Sequence, residues 1–227
     1  MAILNYQPPT SPWLKFLYRD DDILVLEKPS GLLSVPGKNL EHKDSLEIRV
    51  KRVYPTATVV HRLDMATSGI MLFALNKAAH KHIGQQFEKR HTKKCYLARV
   101  FGNPKNDSGS VDLPLICDWP NRPKQKVDHE SGKNALTHWQ VLERHCDNAL
   151  MKLTPITGRS HQLRVHMLSL EHPILGDRLY AHSEALAMAS RLQLHATRLE
   201  INHPTSEQWL CFESQPEFAK HISLSAL

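Results

Sequence analysis

The chain has 227 residues, of which 41% are hydrophobic and 23% charged, so it can bury an ordinary core as one large or two small domains. Its net charge of +6 favours an anionic partner such as a phosphate backbone. No apolar run approaches the roughly 20 residues that cross a bilayer, and the scattered cysteines form no Cys-x-x-Cys pair, so a membrane protein is excluded and a reduced, cytoplasmic protein is predicted.

In the first half of the chain, hydrophobic periodicity predicts strands that alternate with two helices. Apolar and polar residues alternate on both sides of an acidic turn at 20–22, which is typical of a hairpin. Residues 77–90 place their apolar side chains on one face, as an amphipathic helix requires. The predicted strands are 14–18, 23–27, 58–60, 70–75 and 94–100, and the predicted helices are 45–53 and 77–90.

The second half of the chain predicts further strands, two helices and a long polar connection. Residues 118–133 carry Pro120, Pro123 and Gly132, which is typical of a long loop or hairpin, and 102–109 is predicted as a turn-rich gap. The predicted strands are 137–143, 150–155, 192–201 and 208–212, and the predicted helices are 160–170 and 184–189. Strands outnumber helices, so we expect an α+β fold around a mixed, mostly antiparallel central sheet flanked by helices and loops.

A basic segment at 77–105 includes the predicted helix at 77–90 and continues beyond it. Its only acid is Glu88. Its cations are Lys77, Lys81, Lys89, Arg90, Lys93, Lys94, Arg99 and Lys105. Two interpretations fit this pattern: a patch that binds nucleic acid, or an ordinary solvated helix face.

The stretch HRLDMATSG at 61–69 holds the candidate catalytic residue. Asp64 lies two positions after Arg62, in a loop that follows the predicted strand at 58–60. A neighbouring guanidinium keeps a carboxylate ionised at neutral pH, and an ionised carboxylate can act as a nucleophile or a base. The spacing alone favours the commoner alternative, a structural ion pair.

The same stretch matches the signature H-R-L-D-x-x-T-S-G, and through it the chain resembles the RluA-type RNA pseudouridine synthase family. Further blocks resemble other motifs of that family in the expected order, from about residue 13 to about residue 204. These blocks are KPSG at 28–31, KCYLA at 94–98, TGRSHQLR at 157–164, HPILGD at 172–177 and RLQLHA at 191–196.

The resemblance implies an isomerase that breaks the bond from ribose C1′ to uracil N1, rotates the base and joins C1′ to C5. It implies Asp64 as the carboxylate that attacks C1′ or removes a sugar proton, Tyr96 as the ring that stacks on uracil, and Arg164 as the partner of Asp64. The Tyr96 hydroxyl could also act as a base at C5. No cofactor is expected, because the reaction needs no redox or phosphate chemistry. Without the resemblance, Tyr96 would be assigned to the core and Arg164 to a phosphate contact or a surface charge.

Five further residues are candidates for substrate binding. A base must leave its stack before it can rotate, and Arg62 is long and planar enough to fill the vacated place, although an ion pair is the alternative. Leu194 is expected beneath the uracil or Tyr96, with a core position as the alternative. The residues expected to contact RNA or to serve the structure are Lys28, Arg159 and His161.

The stretch 112–123 resembles that of the short, dual-specificity members of the family, which modify 23S rRNA and tRNA. The implied substrates are a uridine in a 23S rRNA hairpin and a uridine in the anticodon stem-loop of certain tRNAs, with 118–133 as an arm that grips the RNA stem. We therefore expect one catalytic domain over 1–227 with its core at about 13–213, no separate N-terminal RNA-binding domain, and a monomer without an obligate protein partner.

Three alternatives stay open. The chain could be a synthase of the same family with a different RNA target, or a non-catalytic RNA-binding module. A two-carboxylate glycosidase or nucleosidase could use Asp64 and Asp177, although Asp177 is otherwise expected to brace a turn after Gly176.

No metal centre is expected, although the chain has 15 histidines. The histidine pairs at 80/82 and 161/166 have no accompanying cluster of cysteines or acids, and zinc sites need such additional ligands.

Overall fold

The computed structural model of the protein describes residues 6–224, which form twelve β-strands and four α-helices. The strands are β1 (Phe16–Arg19), β2 (Ile23–Lys28), β3 (Thr58–Val59), β4 (Ser68–Ala74), β5 (Lys93–Phe101), β6 (Ser108–Asp112), β7 (Leu115–Cys117), β8 (Gln125–Val127), β9 (Leu136–Arg144), β10 (Asn148–Pro155), β11 (Leu194–Asn202) and β12 (Trp209–Glu213). The helices are α1 (Leu46–Lys51), α2 (Lys77–Glu88), α3 (Gln162–Ser169) and α4 (Ser183–Ala187).

The described residues divide into two compact units, and each is considered by itself. The Asp64 unit contains residues 6–94 and Ala196–Gln215. The Tyr96 unit contains Cys95–His195 and residues 216–224.

In the Asp64 unit the strand order is β1-β2-β4-β11, with β3 paired to β4 and β12 paired to β11. Every residue of β4 is buried, which explains why its sequence is a continuous apolar run rather than an alternating one. The helix α2 covers this sheet with Ala79 and Ile83, which join Ile70 and Leu72 in one core cluster. It begins at Lys77 because the Asn76 side chain accepts the Ala79 N–H and so caps the first turn.

In the Tyr96 unit the strand order is β5-β10-β9-β6, and β7 and β8 form a separate antiparallel hairpin. β10 pairs antiparallel with both β5 and β9, and β6 pairs antiparallel with β9, with Tyr96 of β5 opposite Leu153 of β10. The hairpin is attached to the unit through Leu115, which packs with Ala135 and with Val165 of α3. It therefore extends from a fixed base.

The elements that periodicity predicted are confirmed, with bounds that shift by a few residues at most. The predicted α+β class with mostly antiparallel pairing is confirmed too, and the polar stretch 118–133 contains the tip and second strand of a hairpin. The single-domain organisation over 1–227 stays a prediction. Among the described residues, no helix is both long and apolar enough to span a membrane.

The predicted gap at 102–109 is wrong at its end, because β6 begins at Ser108. The sequence of β6 is SGSVD, in which Val111 is the only β-branched or aromatic residue of the kind that favours strands. It is held by its partner: the Trp139 ring of β9 lies over Gly109, where a β-carbon would come within 2.7 Å of Trp139 Cζ2. A neighbour distant in sequence thus creates this strand.

We expect Gly69→Ala to destabilise the protein by about 3 kcal/mol, since it combines overpacking with backbone strain. Gly69 has φ +115°, and an added β-carbon would stand 2.3 Å from the Ala196 carbonyl oxygen of β11. Gly84→Ala is the matched control, because Gly84 lies inside α2 with no atom within 4 Å of the added carbon. That change should stabilise by about 0.5–1 kcal/mol. Urea unfolding measures both, and equal effects would contradict the close approach of β4 and β11.

Candidate active site

Asp64 lies in the turn that connects β3 to β4. Its backbone carbonyl accepts the Thr67 N–H at 3.1 Å, which closes the turn just before β4 begins. Arg62 is exposed, Leu63 is buried and Asp64 is half-buried. The turn therefore presents a carboxylate and a guanidinium at a strand end, while the apolar residue between them anchors it.

His61 lets the chain leave the sheet at this point. β3 pairs with β4 through Val59 opposite Phe73, and the next N–H along β4, that of Leu72, donates instead to His61 Nε2 at 3.0 Å. The imidazole also stacks on Phe87 of α2, with ring centroids 4.9 Å apart. The His61 side chain thus takes the place of a backbone acceptor, and the Leu72 N–H of β4 has a hydrogen-bond partner.

This hydrogen bond requires the neutral imidazole, because Nε2 must accept. Burial lowers the pKa of His61 from 6.5 to about 4, and the nearby positive charge of Lys94 acts in the same direction. The ring therefore stays unprotonated at neutral pH and donates only from Nδ1.

Lys28 lies in the interior and is fully buried. Its ammonium donates to three backbone carbonyls, those of Pro29 at 2.9 Å, Leu32 at 2.7 Å and Met65 at 3.0 Å. Burial lowers the pKa of Lys28 to about 7, while the negative charge of Asp64 opposes that shift. Because all three donors are used, Lys28 serves the structure of the turn, which was one of its two predicted roles.

In the Tyr96 unit, Arg164 lies buried in α3 and forms a two-pronged ion pair with Asp177. Its Nε and Nη2 reach the two carboxylate oxygens at 2.8 Å and 2.7 Å. The same carboxylate accepts the Leu179 N–H at 2.9 Å, which confirms that Asp177 braces the turn after Gly176. Two charges that are both removed from water are tolerated because each is paired and hydrogen-bonded.

Tyr180 is a central residue of this unit that sequence reasoning missed. The Arg164 guanidinium lies 5.0 Å from its ring centroid, and its hydroxyl contacts His161 Nδ1 at 2.7 Å. The hydroxyl also accepts the Gln125 N–H of β8 at 2.8 Å. No local pattern marks such a residue, since its partners lie 16 to 55 positions away.

The helix α3 begins after His161, whose φ of 54° places it outside the helix, although the predicted helix at 160–170 included it. Arg159 is exposed and donates from Nε to the Asn134 carbonyl at 3.1 Å. Tyr96 is half-buried in β5, and Leu194 is buried at the start of β11. Both lie on strands, as predicted.

The predicted site residues thus divide between the two units. Within the Asp64 unit are Lys28, Arg62 and Asp64. Within the Tyr96 unit are Tyr96, Arg159, His161, Arg164 and Leu194. The catalytic and substrate-binding roles of these residues, and the pairing of Arg164 with Asp64, stay predictions. Across residues 6–224, no three His, Cys, Asp or Glu side chains are grouped as a metal site would require.

Comparison with protein families places this geometry in context. The family model described as RNA pseudouridylate synthase matches residues 22–169, well over half of the chain. The matched segment includes the Asp64 turn, β5 with Tyr96, and α3 with Arg164.

Similar curated proteins span nearly the whole chain. The dual-specificity RNA pseudouridine synthase RluA of Escherichia coli strain K12 is 59% identical over 219 residues, which cover 96% of this chain and 100% of that protein. The protein of the same name from Vibrio vulnificus is 55% identical over 215 residues, covering 92% of this chain and 86% of that protein.

Two solved structures similar to this chain are also of RNA pseudouridylate synthase domain proteins. The human RNA pseudouridylate synthase domain containing 1 protein has a TM-score of 0.78 and 28% identity, covering 96% of this chain and 89% of that one. The human RNA pseudouridylate synthase domain containing 4 protein has a TM-score of 0.72 and 29% identity, covering 90% and 89%.

We expect the free energy of unfolding to fall as the pH decreases from 6.5 to about 4. In that range the unfolded chain protonates His61 whereas the folded protein resists it, so protonation favours unfolding. His61→Gln keeps an acceptor for the Leu72 N–H but does not titrate, and its stability should depend less steeply on pH. Urea unfolding of both proteins across this range measures the difference, and identical slopes would contradict a neutral His61 that accepts the Leu72 N–H.

Proposed function

Because the chain belongs to the RNA pseudouridylate synthase family, and is therefore an enzyme that isomerises uridine in RNA to pseudouridine, we propose that its substrates are 23S rRNA and tRNA. The target sites are a uridine in an rRNA hairpin and a uridine in the anticodon stem-loop of certain tRNAs. The observation that carries this proposal is the identity of 55–59% to relatives named dual-specificity RNA pseudouridine synthases, across nearly the full length of each chain.

In the proposed mechanism the Asp64 carboxylate acts at the ribose. It either attacks C1′ and displaces uracil, or removes a sugar proton to give a glycal, and both routes require an ionised, positioned carboxylate. Tyr96 stacks on the extruded uracil in this proposal, and its hydroxyl takes the proton from C5. Arg164 is the cation that keeps the catalytic carboxylate ionised. The turn at Asp64 supports the role proposed for Asp64. Its hydrogen bonds restrain the Asp64 backbone, and Asp64 itself is only half-buried, so it keeps some contact with solvent.

Substrate binding in this proposal begins with base extrusion. Arg62 fills the place of the extruded uridine, and its exposure on the Asp64 turn supports that role. Leu194, Arg159 and His161 complete the proposed contacts, with Leu194 beneath the base. We also propose that the enzyme is a cytoplasmic monomer that needs neither a cofactor nor an obligate protein partner.

The tip of the β7–β8 hairpin supports a role as an arm that holds the RNA. Trp119 is 64% exposed there. The Arg122 guanidinium lies 4.6 Å from its ring centroid and donates from Nε to the Trp119 carbonyl. The Asp118 N–H donates to the Lys124 carbonyl at 2.9 Å, which closes the tip. An aromatic ring with adjacent cations on a closed turn suits a nucleotide base and its phosphates.

We expect wild-type protein to release tritium from an anticodon stem-loop and from an rRNA hairpin that carry 5-tritiated uridine. Release should be absent from a scrambled-loop control, and Asp64→Ala and Asp64→Asn should abolish it while RNA binding is retained. If only one of the two RNAs reacts, the synthase has a different target range. If neither reacts although both bind, the RNA-binding alternative replaces the proposed function.

Replacing Trp119 tests the arm. Since stacking of a base on an aromatic ring contributes about 1–3 kcal/mol, Trp119→Ala should weaken RNA binding by roughly 5- to 150-fold. Trp209→Ala is the control, because Trp209 is also exposed but lies on β12, outside the hairpin, and its Nε1 donates to Glu200. Fluorescence anisotropy with a labelled stem-loop measures both dissociation constants. Unchanged affinity in the Trp119 variant would refute the stacking role.

A further inference from the structure

The loop at 28–34 holds the Asp64 turn through backbone groups on both sides of the carboxylate. After Asp64, the Met65 carbonyl accepts the Gly31 N–H at 2.9 Å, in addition to the Lys28 ammonium. The Ser30 hydroxyl donates to the Ala66 carbonyl at 2.6 Å. These bonds fix the chain that leaves Asp64.

On the other side of Asp64, the Ser34 side chain contacts both backbone polar groups of Leu63. The Ser34 hydroxyl donates to the Leu63 carbonyl at 2.6 Å and accepts the Leu63 N–H at 3.1 Å. A serine hydroxyl has one proton to donate, so the donation to Leu63 uses it fully. Ser34 and Leu63 are 4% and 7% exposed, which leaves little access for water to replace either bond.

The Leu63 carbonyl belongs to the peptide group that joins Leu63 to Asp64. By binding that carbonyl and the preceding N–H, Ser34 fixes two successive peptide planes that lead to the Asp64 α-carbon. With the Thr67 N–H bonded to the Asp64 carbonyl, the backbone of Asp64 is restrained on both sides. The direction of its carboxylate then depends mainly on side-chain rotation.

We propose that Ser34 is a positioning residue, which acts through the Leu63–Asp64 peptide to hold the Asp64 carboxylate in its reactive geometry. The inference rests on the proposed catalytic role of Asp64. A displacement of about 1 Å at a reacting group can reduce a rate by about 100-fold, so loss of this restraint acts on turnover rather than on RNA affinity. Removal of the hydroxyl also leaves two buried backbone groups of Leu63 unpaired, which drives the turn to shift.

The test compares Ser34→Thr with Ser34→Val, which have nearly the same shape but differ in the hydroxyl. We expect Ser34→Val, and likewise Ser34→Ala, to lower kcat by about 10- to 100-fold with an unchanged KM for the stem-loop. Ser34→Thr should recover most of the loss. Equal kcat in the Thr and Val variants would overturn the proposal, as would a raised KM with unchanged kcat.

Ser45→Ala controls for a general loss of stability. Ser45 is fully buried in the same unit and caps α1, where its hydroxyl accepts the Ile48 N–H at 3.3 Å. Its replacement should lower Tm while kcat stays at the wild-type value. A fall in kcat for Ser45→Ala as large as that for Ser34→Ala would assign the effect to stability and overturn the proposal.

Asp64→Asn separates this inference from the proposed function. If Asp64→Asn keeps wild-type tritium release, the catalytic role of Asp64 fails, and the inference fails with it. If Asp64→Asn is inactive while Ser34→Val turns over at the wild-type rate, only the inference about Ser34 fails.

Discussion

A turn that leaves a buried strand must find partners for its own backbone polar groups, and this constraint governs the Asp64 unit. β4 is buried along its whole length, and backbone N–H and carbonyl groups that are shielded from water need partners within the protein. His61 satisfies the Leu72 N–H, and Lys28 satisfies the Met65 carbonyl. The same bonds that make the turn tolerable also make it rigid. A structural necessity of the fold therefore restrains the backbone of the turn that carries Asp64, the residue proposed to act at the ribose.

In the Tyr96 unit, a buried charge likewise requires a partner within the protein. The buried guanidinium of Arg164 in α3 is paired with Asp177 through two short bonds. Tyr180 packs against that guanidinium and also accepts the Gln125 N–H of β8. The hairpin is thus bonded, at the end of β8 next to its tip, to the residue that contacts the buried ion pair. Its tip, with Trp119, extends from a part of the unit that is held in place.

Much of the fold could be predicted because local pattern and tertiary role agree. The helix α2 has an asparagine cap and an apolar stripe, and β4 has an uninterrupted apolar run. β6 was missed because its polar, glycine-containing sequence becomes a strand only against Trp139 of β9. Of the candidate site, the Asp64 turn was located correctly from the motif, whereas the contacts of Ser34 and Tyr180 were not foreseen. Those contacts join residues that are far apart in the chain.

The sequence by itself determined the reaction class through its resemblance to a family, because the motifs that carry the resemblance, such as HRLD at 61–64, are short and contiguous. It also determined most strands and helices, since periodicity reports which face of an element is buried. Only the tertiary structure decided which groups hold those motifs in place. Lys28 donates to the Met65 carbonyl of the Asp64 turn, and Asp177 is a buried partner of Arg164. Hydrogen bonds and ion pairs depend on distances of about 3 Å between atoms, and one chain contains many residues of each suitable type. Their pairing is therefore set by how the elements pack, which no local pattern records.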